Sequence, residues 1–243
     1  MKTAIAPGTG ASPGPAPSPG DRRPDGPLPE LLLAMTVVTG LVDAFSYLSL
    51  GHVFVANMTG NVVFLGFGLA GAGGIAVNAS LVAIAAFALG AAVGGRWALP
   101  RRPHRGRLLA ATAAVEAGLV VTAAVIAGTA GVKGSALPLT LVSLLAFAMG
   151  GQNAIARRLA VPDRTTTVLT LTVTALVADA TSWSIRVRRL VPILAMLGGA
   201  LAGGALLRWV STSAPLWVAA AVLLFCAVLS SVATRRPQSD VWR

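Results

Sequence analysis

Six stretches of this chain are long and apolar enough to cross a lipid bilayer, and nothing else in the sequence limits its fold as severely. They are residues 31–50, 75–99, 108–130, 136–156, 190–210 and 214–233. A hydrocarbon core of about 30 Å needs about 20 helical residues. Lipid offers the backbone no hydrogen-bond partner, so only helices or closed barrels cross it. These Leu/Val/Ala runs have helix length. They are not the roughly 10-residue alternating segments of a barrel. Charged residues make up only 11% of the chain, against about 25% in soluble domains. The expected fold is an all-α, multi-pass membrane protein.

Two further segments fit the pattern less well. Residues 53–72 hold "VANMTGN", which sets Asn57, Thr59, Gly60 and Asn61 in an apolar setting, and residues 165–183 are rich in Thr and carry Asp179. Arginine placement weighs the topologies. Arg101/Arg102/Arg105/Arg107, Arg157/Arg158/Arg164, Arg186/Arg188/Arg189 and Arg235/Arg236/Arg243 form four clusters at the ends of apolar runs. Cytoplasmic loops carry an excess of Lys and Arg. With six crossings, and the two odd segments broken or re-entrant, all four clusters share the cytoplasmic side with Arg22 and Arg23. A seven-span chain with its N-terminus outside misplaces only the tail charges and is the alternative.

The chain also resembles itself. Asp43-Ala44 matches Asn153-Ala154, Thr59 matches Thr170, and Arg96-Trp97 matches Arg208-Trp209, at separations of 110, 111 and 112 residues. Each unit reads as spanning helix, broken segment, then two spanning helices. An odd number of crossings inverts the second unit relative to the first. Inverted repeats with discontinuous helices are a recurrent carrier architecture, with the site near the midplane between the copies. The expected organisation is a Pro/Gly-rich tail over residues 1–29, disordered for want of an apolar face. A helical domain follows over 30–234, with repeats over about 31–130 and 136–234, and then a basic cytoplasmic tail over 235–243.

Three stretches carry a family resemblance. "G-x-x-D-A-x-S" at residues 40–46, "VFVANMTGN" at 53–61, and "G-x-Q-N-A" at 150–154 followed by "T-T-x-x-L-T" at 165–170 resemble the YoaK-like family of uncharacterised bacterial multi-pass membrane proteins. The resemblance implies a bacterial inner-membrane protein with about six or seven helices, and no defined substrate or reaction.

Intramembrane polar residues are the candidate site. A charged side chain at the bilayer centre costs about 2.5–3.5 kcal/mol on insertion scales. Asp43 and Glu116, each deep in a run, must therefore face protein or water. Each either binds a cation or proton or makes a buried structural hydrogen bond. Asn57, Thr59, Gly60 and Asn61 either repair a helix break or add a ligand site to it. Gly60 would permit the break, and Thr59 or Asn61 would cap a helix resuming at Val62. Gln152, Asn153 and Thr170 hold the corresponding places in the second unit. Gly90/Gly94 and Gly199/Gly203 have the spacing that lets helix backbones approach closely, within the chain or between protomers of a homo-oligomer.

Other classes find little support. The net charge of +11 comes from the loop clusters, with no basic face interleaved with aromatics, so nucleic acid is not an expected partner. No H-E-x-x-H, G-x-S-x-G or phosphate-loop pattern occurs. No enzyme activity, cofactor or metal is expected, and Cys226 reads as a small buried hydrophobe. The expected function is a small-solute or ion transporter with a proton- or cation-linked polar site. The expected partners are the lipid bilayer and that solute. A non-transporting membrane scaffold or regulatory partner is the alternative.

Overall fold

The computed structural model describes residues 28–72, 74, 77–97, 104–134, 136–159, 173, 174, 177 and 183–235. Within them the chain forms α1 (Leu28–Ser49), α2 (Met58–Leu69), α3 (Val77–Trp97), α4 (Arg105–Thr129), α5 (Ala136–Leu159), α6 (Trp183–Trp209) and α7 (Ala214–Thr234). Every helix but α2 is long and apolar enough to cross a membrane. Leu89, Leu201, Phe225 and Val228 are exposed on the outer surface. Such a surface suits lipid and not water. The chain is a multi-pass, all-α membrane protein that contacts the bilayer.

The crossings fall close to where hydropathy places them, because helix length is set by bilayer thickness. α1 begins at Leu28, three residues ahead of the expected start, and α6 begins at Trp183, seven ahead. The tail over 1–27, most of 165–182 and residues 236–243 lie outside the described residues, and Asp179 and Thr170 with them.

Short connections fold α4 onto α5 and α6 onto α7. The longest packing seams join α1 to α6, α3 to α5, and α4 to α7. Shorter ones join α4 to α5 and α1 to α7. Glycines set the first two seams. A Cβ on Gly40 of α1 would strike the Met196 carbonyl and Ala200 amide of α6, and a Cβ on Gly150 of α5 would strike the Phe87 carbonyl and Ala91 amide of α3. From the opposite side, Gly199 abuts the Val37 backbone and Gly90 the Phe147 backbone. Gly203 rests on Leu41 and Gly94 on Gly151. Contact this close leaves no room for a side chain. Of the two uses open to Gly90/Gly94 and Gly199/Gly203, these residues fill the one within the chain.

The start of α4 and the ends of α5 and α7 gather on one face. Arg105 at the start of α4 donates to the Leu159 carbonyl at the end of α5 (2.6 Å). Ser230 near the end of α7 donates to the Gly106 carbonyl (2.7 Å).

Candidate functional site

The polar stretch after α1 is a true break. After Ser49 the chain turns back at Gly51 (φ 95°) and His52 (φ 60°), and Val53 and Val55 are buried. Asp43 lies six residues before the end of α1, about 9 Å along the helix axis. Its Oδ1 accepts from the backbone N–H groups of both Val55 and Ala56 at 2.9 Å. The chain therefore re-enters the bundle to the depth of Asp43, and α2 leads out from there. With 12 residues, α2 spans about 18 Å, too short to cross.

Asn61 closes the same loop. It is fully buried. Its Oδ1 accepts from the Phe54 N–H (2.9 Å), and its Nδ2 donates to the Phe54 carbonyl (2.6 Å). Tyr47, Phe54 and Phe64 stack alongside, with centroids 4.9 to 6.1 Å apart. Non-helical backbone at membrane depth needs such internal partners. The hydrogen bonds of Asp43 and Asn61 are thus structural ones, made by side chains to freed backbone groups. The Asp43 Oδ2 is buried with no hydrogen-bond partner.

Three expectations about this loop need correcting. The helix restarts at Met58, not Val62, and its N-cap Asn57 makes no side-chain capping bond. Asn61 holds Phe54 in place of capping, and Thr59 is exposed. Gly60 sits inside α2, where a Cβ would meet the Phe54 ring. It makes space for that ring, and the turn itself is made by Gly51 and His52.

A second polar cluster lies deeper, between three crossing helices. Glu116 of α4 and Gln152 of α5 are 2% exposed, and Thr39 of α1 is 3% exposed. The Gln152 amide lies between the other two. With its nitrogen on Thr39, Nε2 donates to Oγ1 at 3.1 Å, and its oxygen faces the Glu116 carboxyl. Turned over, Nε2 donates to both Glu116 oxygens, 2.9 Å from Oε2, and its oxygen accepts from Thr39 at 3.1 Å. The Thr39 hydroxyl also reaches the Met35 carbonyl (3.0 Å). Beside Glu116 lies a cavity of about 80 Å³ among α3, α4 and α5, lined by Gly90, Gly94, Thr112, Phe147 and Gly151. Its walls are glycine and apolar side chains apart from Thr112, Glu116 and Gln152, so any water or polar solute in it would bond to those three.

Glu116 and Gln152 are thus brought together. Gln152 is buried in the bundle and does not lie at an interfacial helix end. Asn153 is apart from this pair: its Nδ2 donates to the Met149 carbonyl one turn back (2.9 Å). Asn57 is exposed beside α2. Thr39 is the member sequence reasoning missed. Its one signal is position, a single turn before Asp43 on the same face of α1. Among the described residues no three His, Cys, Asp or Glu side chains converge as a metal site would need.

Comparison with known proteins agrees with the architecture. The family described as "Protein of unknown function (DUF1275)" matches residues 31–229. The "UPF0700 transmembrane protein YoaK" of Bacillus subtilis (strain 168) is 32% identical over 154 residues, 61% of this chain. The matched region spans 65% of that relative's length. No solved structure matches.

Proposed function

We propose that this chain, which belongs to the DUF1275 family, is a small-solute or ion transporter whose working polar centre is the Glu116–Gln152–Thr39 cluster. The observation that carries the reading is that cluster's placement. A carboxyl group buried mid-span is costly. Here it is joined through one amide to a hydroxyl on a third helix, beside a cavity. Such a centre is what a carrier needs and what a lipid-exposed packing helix does not.

The seams support an inverted repeat as its frame. α1 and α5 correspond, as do α3 and α6, and α4 and α7. Gly40 and Gly150 play the same part 110 residues apart, and Gly90 and Gly199 play theirs 109 apart. On this register the Arg-Trp pairs, 112 apart, are nearly one turn out of step. Thr39 and Glu116 then belong to one copy and Gln152 to the other, so the centre lies where the copies meet. The arginine-rich face is cytoplasmic by the positive-inside rule, which puts the C-terminus inside a bacterial inner membrane. The reading assigns the chain no catalysis.

A second reading, a membrane scaffold or regulatory partner, draws on Asp43 and Asn61, whose hydrogen bonds are spent on the loop. Proteoliposomes holding the full chain separate the two. Cations, protonatable amines and neutral polar solutes are offered across an imposed pH gradient. Entry of at least one class faster than into protein-free vesicles is the expected result. Equal rates for every class, with folded protein in the membrane, favour the scaffold.

A further inference from the structure

The geometry points to a proton site at Glu116, with the Gln152 amide as a two-position switch that turns over when the proton leaves. The inference rests on the carrier reading for its use and on hydrogen-bond direction for its evidence. An amide has a donor end and an acceptor end, a hydroxyl donates one hydrogen, and a carboxyl donates only when protonated. With every partner taken from inside the cluster, two arrangements satisfy these rules.

In the first, the Glu116 O–H donates to the Gln152 oxygen, the amide nitrogen donates to Thr39, and Thr39 donates to the Met35 carbonyl. Every donor points toward α1. In the second, the carboxylate accepts from the amide nitrogen, and the amide oxygen accepts from Thr39. Thr39 then gives up Met35, and every donor points toward Glu116. Between the two, the O–H bond of Glu116 breaks, the carboxylate keeps the electron pair, and the proton passes to water or solute in the cavity. Half a turn of the amide and one hydroxyl rotation complete the exchange. Neither arrangement leaves a buried amide end facing its own kind, which would cost it its hydrogen bond.

The same surroundings disfavour a metal cation. Hard divalent cations take about six or more oxygens. The cavity walls here are glycine and apolar side chains, with Thr112 as the hydroxyl, and that hydroxyl already donates to the Leu108 carbonyl (2.8 Å). Of the titratable groups packed against Glu116, α7 contributes Cys226. The cavity residues of α3 and α5 contribute none. On α1, Asp43 is turned to Val55 and Ala56.

The sequence makes the test simple. Glu30 and Glu116 are its two glutamates, and Gln152 and Gln238 its two glutamines. In full-length protein carrying Glu30→Asp and Gln238→Asn, reconstituted in vesicles, carboxyl-labelled glutamate reports Glu116 by infrared. Amide-labelled glutamine reports Gln152 by NMR. The expected result is a carboxylic-acid C=O stretch that gives way to carboxylate as pH rises at constant salt. The Gln152 amide resonances should shift over the same pH interval. Exchanging Na⁺ for K⁺, or adding Ca²⁺, should change neither. Loss of the band on adding metal at fixed pH overturns the proton site. So does a band that never titrates while the protein is folded, and an amide that stays put while the band titrates overturns the switch. No transport enters the readout. A titrating band without flux sinks the carrier reading alone, and flux without titration sinks this one alone.

Discussion

The Glu116 carboxyl of α4 and the Thr39 hydroxyl of α1 share one partner, the Gln152 amide of α5. Removing that partner strands Glu116, while Thr39 keeps its bond to the Met35 carbonyl. Gln152→Leu is expected to destabilise the protein by about 1–3 kcal/mol, the cost of an unsatisfied buried polar group. Asn153→Leu, next in sequence, removes only a bond to its own helix and is expected to cost less. Thermal unfolding in detergent compares them.

Asp43 should tolerate loss of charge better than loss of its oxygen. Asp43→Asn keeps an acceptor for the Val55 and Ala56 N–H groups and is expected to unfold close to the wild-type temperature. Asp43→Ala orphans both donors, at about 1–3 kcal/mol each. Cysteine labelling at Val55 in a Cys226→Ser background should report the loosened loop in the alanine variant alone.

Adjacent glycines on α6 should behave oppositely. A Cβ on Gly199 runs into the Val37 backbone, and one on Gly198 meets nothing within 4 Å. Gly199→Ala is expected to cost about 1–3 kcal/mol, as overpacking does. Gly198→Ala should be neutral or stabilise by about 0.5–1 kcal/mol, since alanine suits a helix interior better. Gly90→Ala, at the matching seam, should follow Gly199→Ala. Unfolding midpoints of the three variants give the comparison.

Much of this was legible because bilayer thickness writes itself into chain length. The six crossings could be bounded from apolar runs alone, and the polar "VANMTGN" announced a break. The roles inside the break were less visible. Gly60 looks like a hinge in sequence, but the hinge is Gly51-His52, and only the position of the Phe54 ring explains Gly60. Thr39 was hidden for a different reason. Thr36, three residues earlier, bonds to its own helix carbonyl, the usual behaviour of a buried helical threonine. Nothing local separates the two. What sets Thr39 apart is Gln152, 113 residues on, brought near by the seams α1 and α5 make in the bundle.

Topology follows from the returning loop. Cysteines at positions 74, 102 and 186, placed singly in a Cys226→Ser chain, should label from opposite sides. Positions 102 and 186 should react from the cytoplasm, and 74 only from outside. Cytoplasmic labelling of 74 would reject the six-span topology, and a tail cysteine that labels from outside would instead favour the seven-span chain.

The most direct measurement compares Glu116→Gln with Asp43→Asn for proton-coupled uptake in proteoliposomes, each checked for its unfolding midpoint. If the Glu116–Gln152–Thr39 centre does the work, the folded Glu116→Gln protein carries nothing above protein-free vesicles, and Asp43→Asn still transports. Wild-type uptake by folded Glu116→Gln, with Asp43→Asn inactive, would contradict the account and move the working carboxylate to the re-entrant loop.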